Sequence, residues 1–187
     1  YRFLEREEVV VQNPFGGLRG PRRGRKLPDV LSVAEVERLL DAPQAVWRRR
    51  VRDGEREDPL DAYAALRDAG LLELLYSTGA RVSEVAKLTM RDLDLLSGVV
   101  TVKGKGRKER MCPLGGPACE AVQRMLDEGV GQGWRSGKTD PVFRNLHGGA
   151  LTTRSMERLM KKYLVVAGLS ARHSPHALRH SFATHLL

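Results

Sequence analysis

One stretch of this 187-residue chain reads as a strand, a tight turn and a returning strand: GVVTVKGKGRKERMCPLG, beginning at Gly98. Residues 98–102 carry the β-branched run, KGKG supplies glycines for a turn with positive φ, and residues 107–114 lead back. Residues 141–143 add at most a short extended piece. Elsewhere the apolar residues recur at helical spacing. The expected fold class is therefore mainly α with a small antiparallel β-sheet.

The helix ends are marked in the sequence. Ser32-Val33-Ala34-Glu35 is a capping box that opens a short helix with Val36, Leu39 and Leu40 inward. The charge-dense run WRRRVRDGERE, residues 47–57, reads as a loop or a frayed helix end. Asp58-Pro59 starts a long helix in which Leu71, Leu74, Leu75 and Thr78 form a core stripe and Gly79 is the C-cap. Gly70 interrupts that helix at a cost of about 1 kcal/mol relative to Ala. A short helix is expected over 81–88 and another over 117–128. Thr152 or Thr153 caps a helix whose stripe is Met156, Leu159, Met160, Tyr163, Leu164 and Ala167; Gly168 stops it and Pro175 begins the last one. Residues 1–8 read as the end of an earlier helix, broken by Asn13-Pro14 and Gly16-Gly17, and residues 19–28 as a basic linker.

Charge narrows the partner. Lys and Arg number 32 against 23 Asp and Glu, a formal net charge of +9. A surface of that sign favours a polyanion, most commonly nucleic acid. No apolar run approaches the length that spans a bilayer, and the charged residues 1–8 do not read as a signal peptide, so a cytoplasmic setting without a membrane partner is expected. The cysteines, Cys112 and Cys119, suggest no disulfide framework.

Chemistry concentrates in HALRHSFATHLL, residues 176–187. At 100° per residue His176, Arg179, His180 and Ala183 share one face, with Leu178, Phe182, His185 and Leu186 opposite. His176 and His180 have metal-pair spacing, but no carboxylate stands between them to serve as a base and Arg179 would repel a cation, so neither a metal nor another cofactor is expected. An anion suits the face better, because Arg offers a planar fork of donors matched to phosphate oxygens and His adds a donor or a proton carrier. Arg81, just past Gly79, opens a helix whose amides also favour an anion; a surface pair with Glu84 is the plainer alternative. The hairpin adds Lys103, Lys105, Arg107 and Lys108. His185 reads as a satisfied core residue or a helix-end one.

Taken in order, TGARVSEV, the GKG hairpin and HALRH resemble the tyrosine recombinases. The likeness spans residues 26–187 and is closest to the Xer type, then to integron and phage integrases. It implies a tyrosine recombinase catalytic-domain fold over 29–187, with 1–18 as the end of an N-terminal core-binding domain. It implies that Arg81 and Arg179 hold the scissile phosphate of double-stranded DNA, that Lys105 is the general acid on the 5′-oxygen, and that His176 assists proton transfer, with Glu84 bracing Arg81. It implies DNA contact by Thr153, Arg154 and Arg158 on a groove-entering helix, by Lys103, Arg107 and Lys108 of the hairpin, and by Arg22, Arg23 and Arg25 of the linker.

By the same resemblance the enzyme cleaves and rejoins strands through a 3′-phosphotyrosine, as a tetramer of recombinases on DNA, and Xer-like resolution of chromosome dimers is the leading role. The family's pattern also has a His or Trp and a nucleophilic tyrosine downstream of Arg179. None of Tyr1, Tyr63, Tyr76 or Tyr163 occupies that place. The expectation is a C-terminally truncated catalytic domain that binds DNA and does not cleave it. The alternatives are an integron- or phage-type integrase, a non-catalytic DNA-binding module and, third, a metal-dependent hydrolase.

Overall fold

Local capping fixes most element boundaries in the computed structural model, which describes residues 1–15, 30–55, 58–104, 106, 108–134 and 137–186. The basic linker, with Arg22, Arg23 and Arg25, lies outside the described residues, as do Lys105 and Arg107. A short helix α1 (Arg2–Arg6) precedes them. Ser32 and Glu35 close the expected capping box on α2 (Val33–Arg52), each satisfying the other's backbone amide. Helix α2 is longer than the sequence suggests: it runs through Pro43 and through the arginines of the charged run, which stays helical to Arg52 with its guanidinium groups largely in solvent.

Helix α3 (Pro59–Thr78) is the central rod, capped by the Asp58 side chain on the Leu60 amide at 2.8 Å. Its neighbours are α2, α5 (Gly116–Gly131), α6 (Thr153–Val166) and α7 (Pro175–His185). Leu71, Leu72 and Leu74 of α3 are at most 1% exposed and anchor the core with Leu39 of α2, Val122 and Met125 of α5, and Met156, Met160 and Leu164 of α6. Each such side chain contributes about 1.5–3 kcal/mol by leaving water. Gly70 has a packing reason: a Cβ there would lie 3.3 Å from the Ala121 carbonyl oxygen, so the missing side chain lets α3 and α5 touch backbone to backbone.

The sheet has three strands in the order β1 (Leu93–Asp94), β2 (Val99–Lys103) and β3 (Glu109–Pro113), all antiparallel. The hairpin is in the expected register, with Val100 opposite Cys112 and Lys103 opposite Glu109. β1 was not expected, since two residues cannot display a period. Residues 141–143 behave as the extended piece: Pro141 bridges to Thr89, and the Val142 amide donates to the Leu88 carbonyl. α4 (Val82–Val85) is only one turn, followed by a 3-10 turn at Met90–Asp92.

Candidate functional site: an arginine cleft

Gly79 sets the geometry. It ends α3 in the left-handed conformation, φ 54°, and a Cβ there would come within 2.6 Å of the Phe182 ring. A glycine is required on both counts. Phe182 therefore packs against the corner between α3 and α4, bringing α7 close enough for Arg179 Nη1 to donate to the Gly79 carbonyl at 2.7 Å. Two residues beyond Gly79, Arg81 takes the position before α4.

Arg81 and Arg179 are 98 positions apart in the sequence, and the fold brings them to one cleft of about 300 Å³. Arg81, His176 and Arg179 line it together with Ser83, Thr153 and Lys161. Ser174 caps α7, accepting from the His176 amide at 3.3 Å, and Pro175 fills the first helical position. Ala177, Leu178 and Ser181 are buried, which leaves His176 and Arg179 on the outer side. The expected apolar face of α7 is only partly so: Leu178 is 1% exposed, whereas Leu186 is 70% exposed. Ser181 takes the inward place instead, donating to the Ala177 carbonyl and accepting from the buried Leu31 amide at 2.8 Å.

Glu84 organises the Arg81 side. It is buried, and its carboxylate accepts from the Arg81 amide at 2.9 Å and from Arg81 Nη1 at 3.1 Å. Its strongest partner is Arg110 of β3, which forms a two-pronged pair at 3.1 and 2.7 Å. That pairing, with the Arg81 amide and side chain, holds the Glu84 carboxyl down at about 2 although burial opposes it. The Arg81 amide is thus spent on the protein, and the grip on an anion falls to side chains. Arg81 itself remains 55% exposed with one side-chain hydrogen bond to the protein among the described residues.

Arg110 did not stand out in the run KGRKER, but a signal for it exists. Strand alternation puts it on the same face of β3 as buried Cys112, and an inward-facing arginine needs an inward-facing acid. With Arg179, His180 and Phe182 it lines a second recess, of about 180 Å³. His176 thus lines the first cleft and His180 the second recess, with Arg179 shared by both.

The expected DNA-contact residues fall in two groups. Thr153 lines the cleft, while Arg154 and Arg158 line an adjoining groove along α6 with Lys161 and Glu157. Lys108 is exposed beside the hairpin turn. Lys103 is already engaged: its Nζ donates to Asp92 at 3.0 Å and lies 3.7 Å from Glu109. Glu157, a carboxylate within the basic cleft, was not anticipated. His185 is satisfied as expected, by the Tyr76 hydroxyl at 2.9 Å. Tyr63 and Tyr163 are buried in the core, and no tyrosine lines the cleft.

Known proteins resemble this chain in sequence and in fold. The model of the Phage integrase family matches residues 29–187. The tyrosine recombinase XerC of Halalkalibacterium halodurans is 41% identical over 191 aligned residues, covering all of this chain and 58% of that protein. The tyrosine recombinase XerD of Vibrio cholerae serotype O1 is 40% identical, over all of this chain and 57% of that protein. The chain thus spans somewhat over half the length of the curated relatives it matches. Among solved structures, XerH site-specific recombinase in a post-cleavage complex with palindromic difH substrate superposes with a TM-score of 0.68 at 29% identity, over 89% of this chain and 44% of that one. XerA recombinase shares the fold, with a TM-score of 0.67 at 24% identity.

Proposed function

The chain belongs to the phage integrase family, and from that footing we propose that it is the phosphate-gripping portion of a site-specific DNA recombinase of the Xer type. The observation that carries this reading is the shared cleft of Arg81, His176 and Arg179. Phosphoryl transfer without a metal needs fixed cations where negative charge develops on the non-bridging oxygens. Two guanidinium groups, each steadied by a bond to the protein (Glu84 for Arg81, the Gly79 carbonyl for Arg179), meet that need with little reorganisation. His176 stands within the same cleft to donate to an oxygen or relay a proton. Lys105, which falls between β2 and β3 in the sequence, is proposed as the acid that protonates the leaving 5′-oxygen. Arg154 and Arg158 on α6 would follow the DNA backbone beside the cleft, with Thr153 between the two. Among the described residues no helix is long and apolar enough to cross a membrane, and a cytoplasmic place beside the chromosome goes with the reading.

The whole enzyme would cut and rejoin strands through a phosphotyrosine within a tetramer of recombinases on DNA, with resolution of chromosome dimers as its role. The XerH relative was captured on its difH substrate, which supports DNA as the partner. None of the four tyrosines lines the cleft, so these 187 residues alone are expected to grip DNA without cutting it. The test is the affinity of the chain for a short DNA duplex between 50 and 200 mM salt, by fluorescence anisotropy. Binding should weaken steeply with salt, and Arg81→Ala or Arg179→Ala should each weaken it about tenfold and lower the slope by about one. Salt-independent binding, or full affinity in both variants, would overturn the phosphate grip. A nicked suicide substrate should give no covalent adduct with the chain; a tyrosine-linked adduct would overturn the assignment of roles.

A further inference from the structure

Glu84 faces a conflict that its surroundings must settle. Arg81 is its neighbour one turn away, and a lone Arg81–Glu84 pair is neutral, with little pull on a phosphate. We infer that Arg110 is a positioning residue for the cleft: by occupying the Glu84 carboxylate it leaves Arg81 charged toward, and available to, an incoming DNA phosphate. The inference rests on the phosphate-gripping role proposed above.

The geometry supports a division of labour. A carboxylate has two oxygens with about four lone-pair sites. Here all four are filled: Arg110 supplies one donor to each oxygen, the Arg81 amide takes Oε2 and Arg81 Nη1 takes Oε1. The Arg110 pair is the two-pronged one, which is the stronger arrangement, and among the described residues Arg81 is left with a single side-chain bond. Three charges then sum to one net positive where the Arg81–Glu84 pair alone would sum to zero. Arg110 is itself held in the charged form, first by its hydrogen bonds to Glu84. The same guanidinium seats the base of the hairpin. The Gly104 backbone passes so close that a Cβ there would lie 3.5 Å from Glu84 Oε1 and 3.7 Å from Arg110 Nη1. β3 is therefore braced against α4 at the point where Arg81 emerges.

A direct role competes with this one. Arg110 is 39% exposed and lines the second recess beside Arg179, where it could touch DNA itself. A double-mutant cycle separates the two, because a residue that acts through Glu84 loses its effect when Glu84 carries no charge. The full 187-residue chain is compared as wild type, Arg110→Gln, Glu84→Gln and the double variant, by duplex affinity and its salt slope, well below each variant's unfolding midpoint. Arg110→Gln should weaken binding about tenfold and lower the salt slope by about one, because Glu84 then neutralises Arg81. In the Glu84→Gln background, by contrast, Arg110→Gln should change neither affinity nor slope relative to Glu84→Gln alone.

A deficit of the double variant relative to Glu84→Gln would show direct phosphate contact and overturn the inference. So would unchanged affinity and slope in Arg110→Gln, even with a lowered unfolding midpoint. Should Arg110→Gln not fold, Arg110→Lys replaces it, with a loss of about threefold that Glu84→Gln again abolishes; its persistence counts against the inference in the same way. Arg81→Ala is the separate control: no effect there defeats the phosphate-gripping reading itself, whereas an effect there with none from Arg110 defeats only the positioning role.

Discussion

Arg67 and Arg81 each grip a carboxylate, yet their side chains are 6% and 55% exposed. Around Arg67 everything is closed. Its Nε and Nη2 both reach Asp68 Oδ1, its Nη1 reaches the Arg144 carbonyl, and the guanidinium lies over the Tyr63 ring. Tyr163 of α6 donates to the other Asp68 oxygen at 2.8 Å. Burial pushes the Asp68 carboxyl up from its usual range in spite of Arg67, and it pushes the Tyr163 hydroxyl up as well. At the cleft the shift has the opposite sign, because Glu84 has two arginines and an amide where Asp68 has one arginine and a phenol. The interior group ties α3 to α6 and thereby fixes the helix that carries Thr153, Arg154 and Arg158. The cleft group leaves cationic donors at the surface. An arginine whose donors are consumed by protein holds the fold; one with donors to spare is equipped to hold something else.

The largest expected effect that would break this contrast is on the closed side. Asp68→Ala strands a buried guanidinium and should cost about 3–5 kcal/mol in urea unfolding, while the folded fraction keeps its affinity for DNA. A loss of DNA affinity in folded protein, with little loss of stability, would erase the distinction. Next comes acid. Glu84 titrates near 2 in the fold against an ordinary 4.5, so its stabilisation is fully present above about pH 4.5 and is lost as pH falls toward 2. The amount is on the order of 1–3 kcal/mol once solvent screening is counted. The stability gap between wild type and Glu84→Gln should therefore close over that window, and a gap independent of pH would contradict the assigned partners. The smallest effect is Tyr163→Phe, which removes one of the hydrogen bonds on Asp68. It should cost about 1 kcal/mol in thermal unfolding and leave duplex affinity unchanged.

Features set by neighbouring residues were legible in the sequence. Ser32, Asp58, Gly79, Thr152 and Pro175 each act within one turn, so a short window holds all the physics of a helix end. The stripe of α6 was legible for the same reason. The extent of α2 was not, since a run of arginines looks alike in a loop and on a solvated helix face, and only packing against α3 decides between them. Arg81, His176 and Arg179 were recognisable as candidates because their motifs are distinctive, but their meeting in one cleft depends on how Phe182 seats against Gly79. Arg110 was hidden because its partner is twenty-six positions away and four other basic residues surround it in the hairpin. The engagement of Lys103 by Asp92 was hidden in the same way.

The bond from the Leu31 amide to Ser181 has a mechanical side. Leu31 is wholly buried, and it is where the chain coming from the amino-terminal residues enters the domain. That one buried bond pins the residue just ahead of α2 to the back of the helix whose front carries His176 and Arg179.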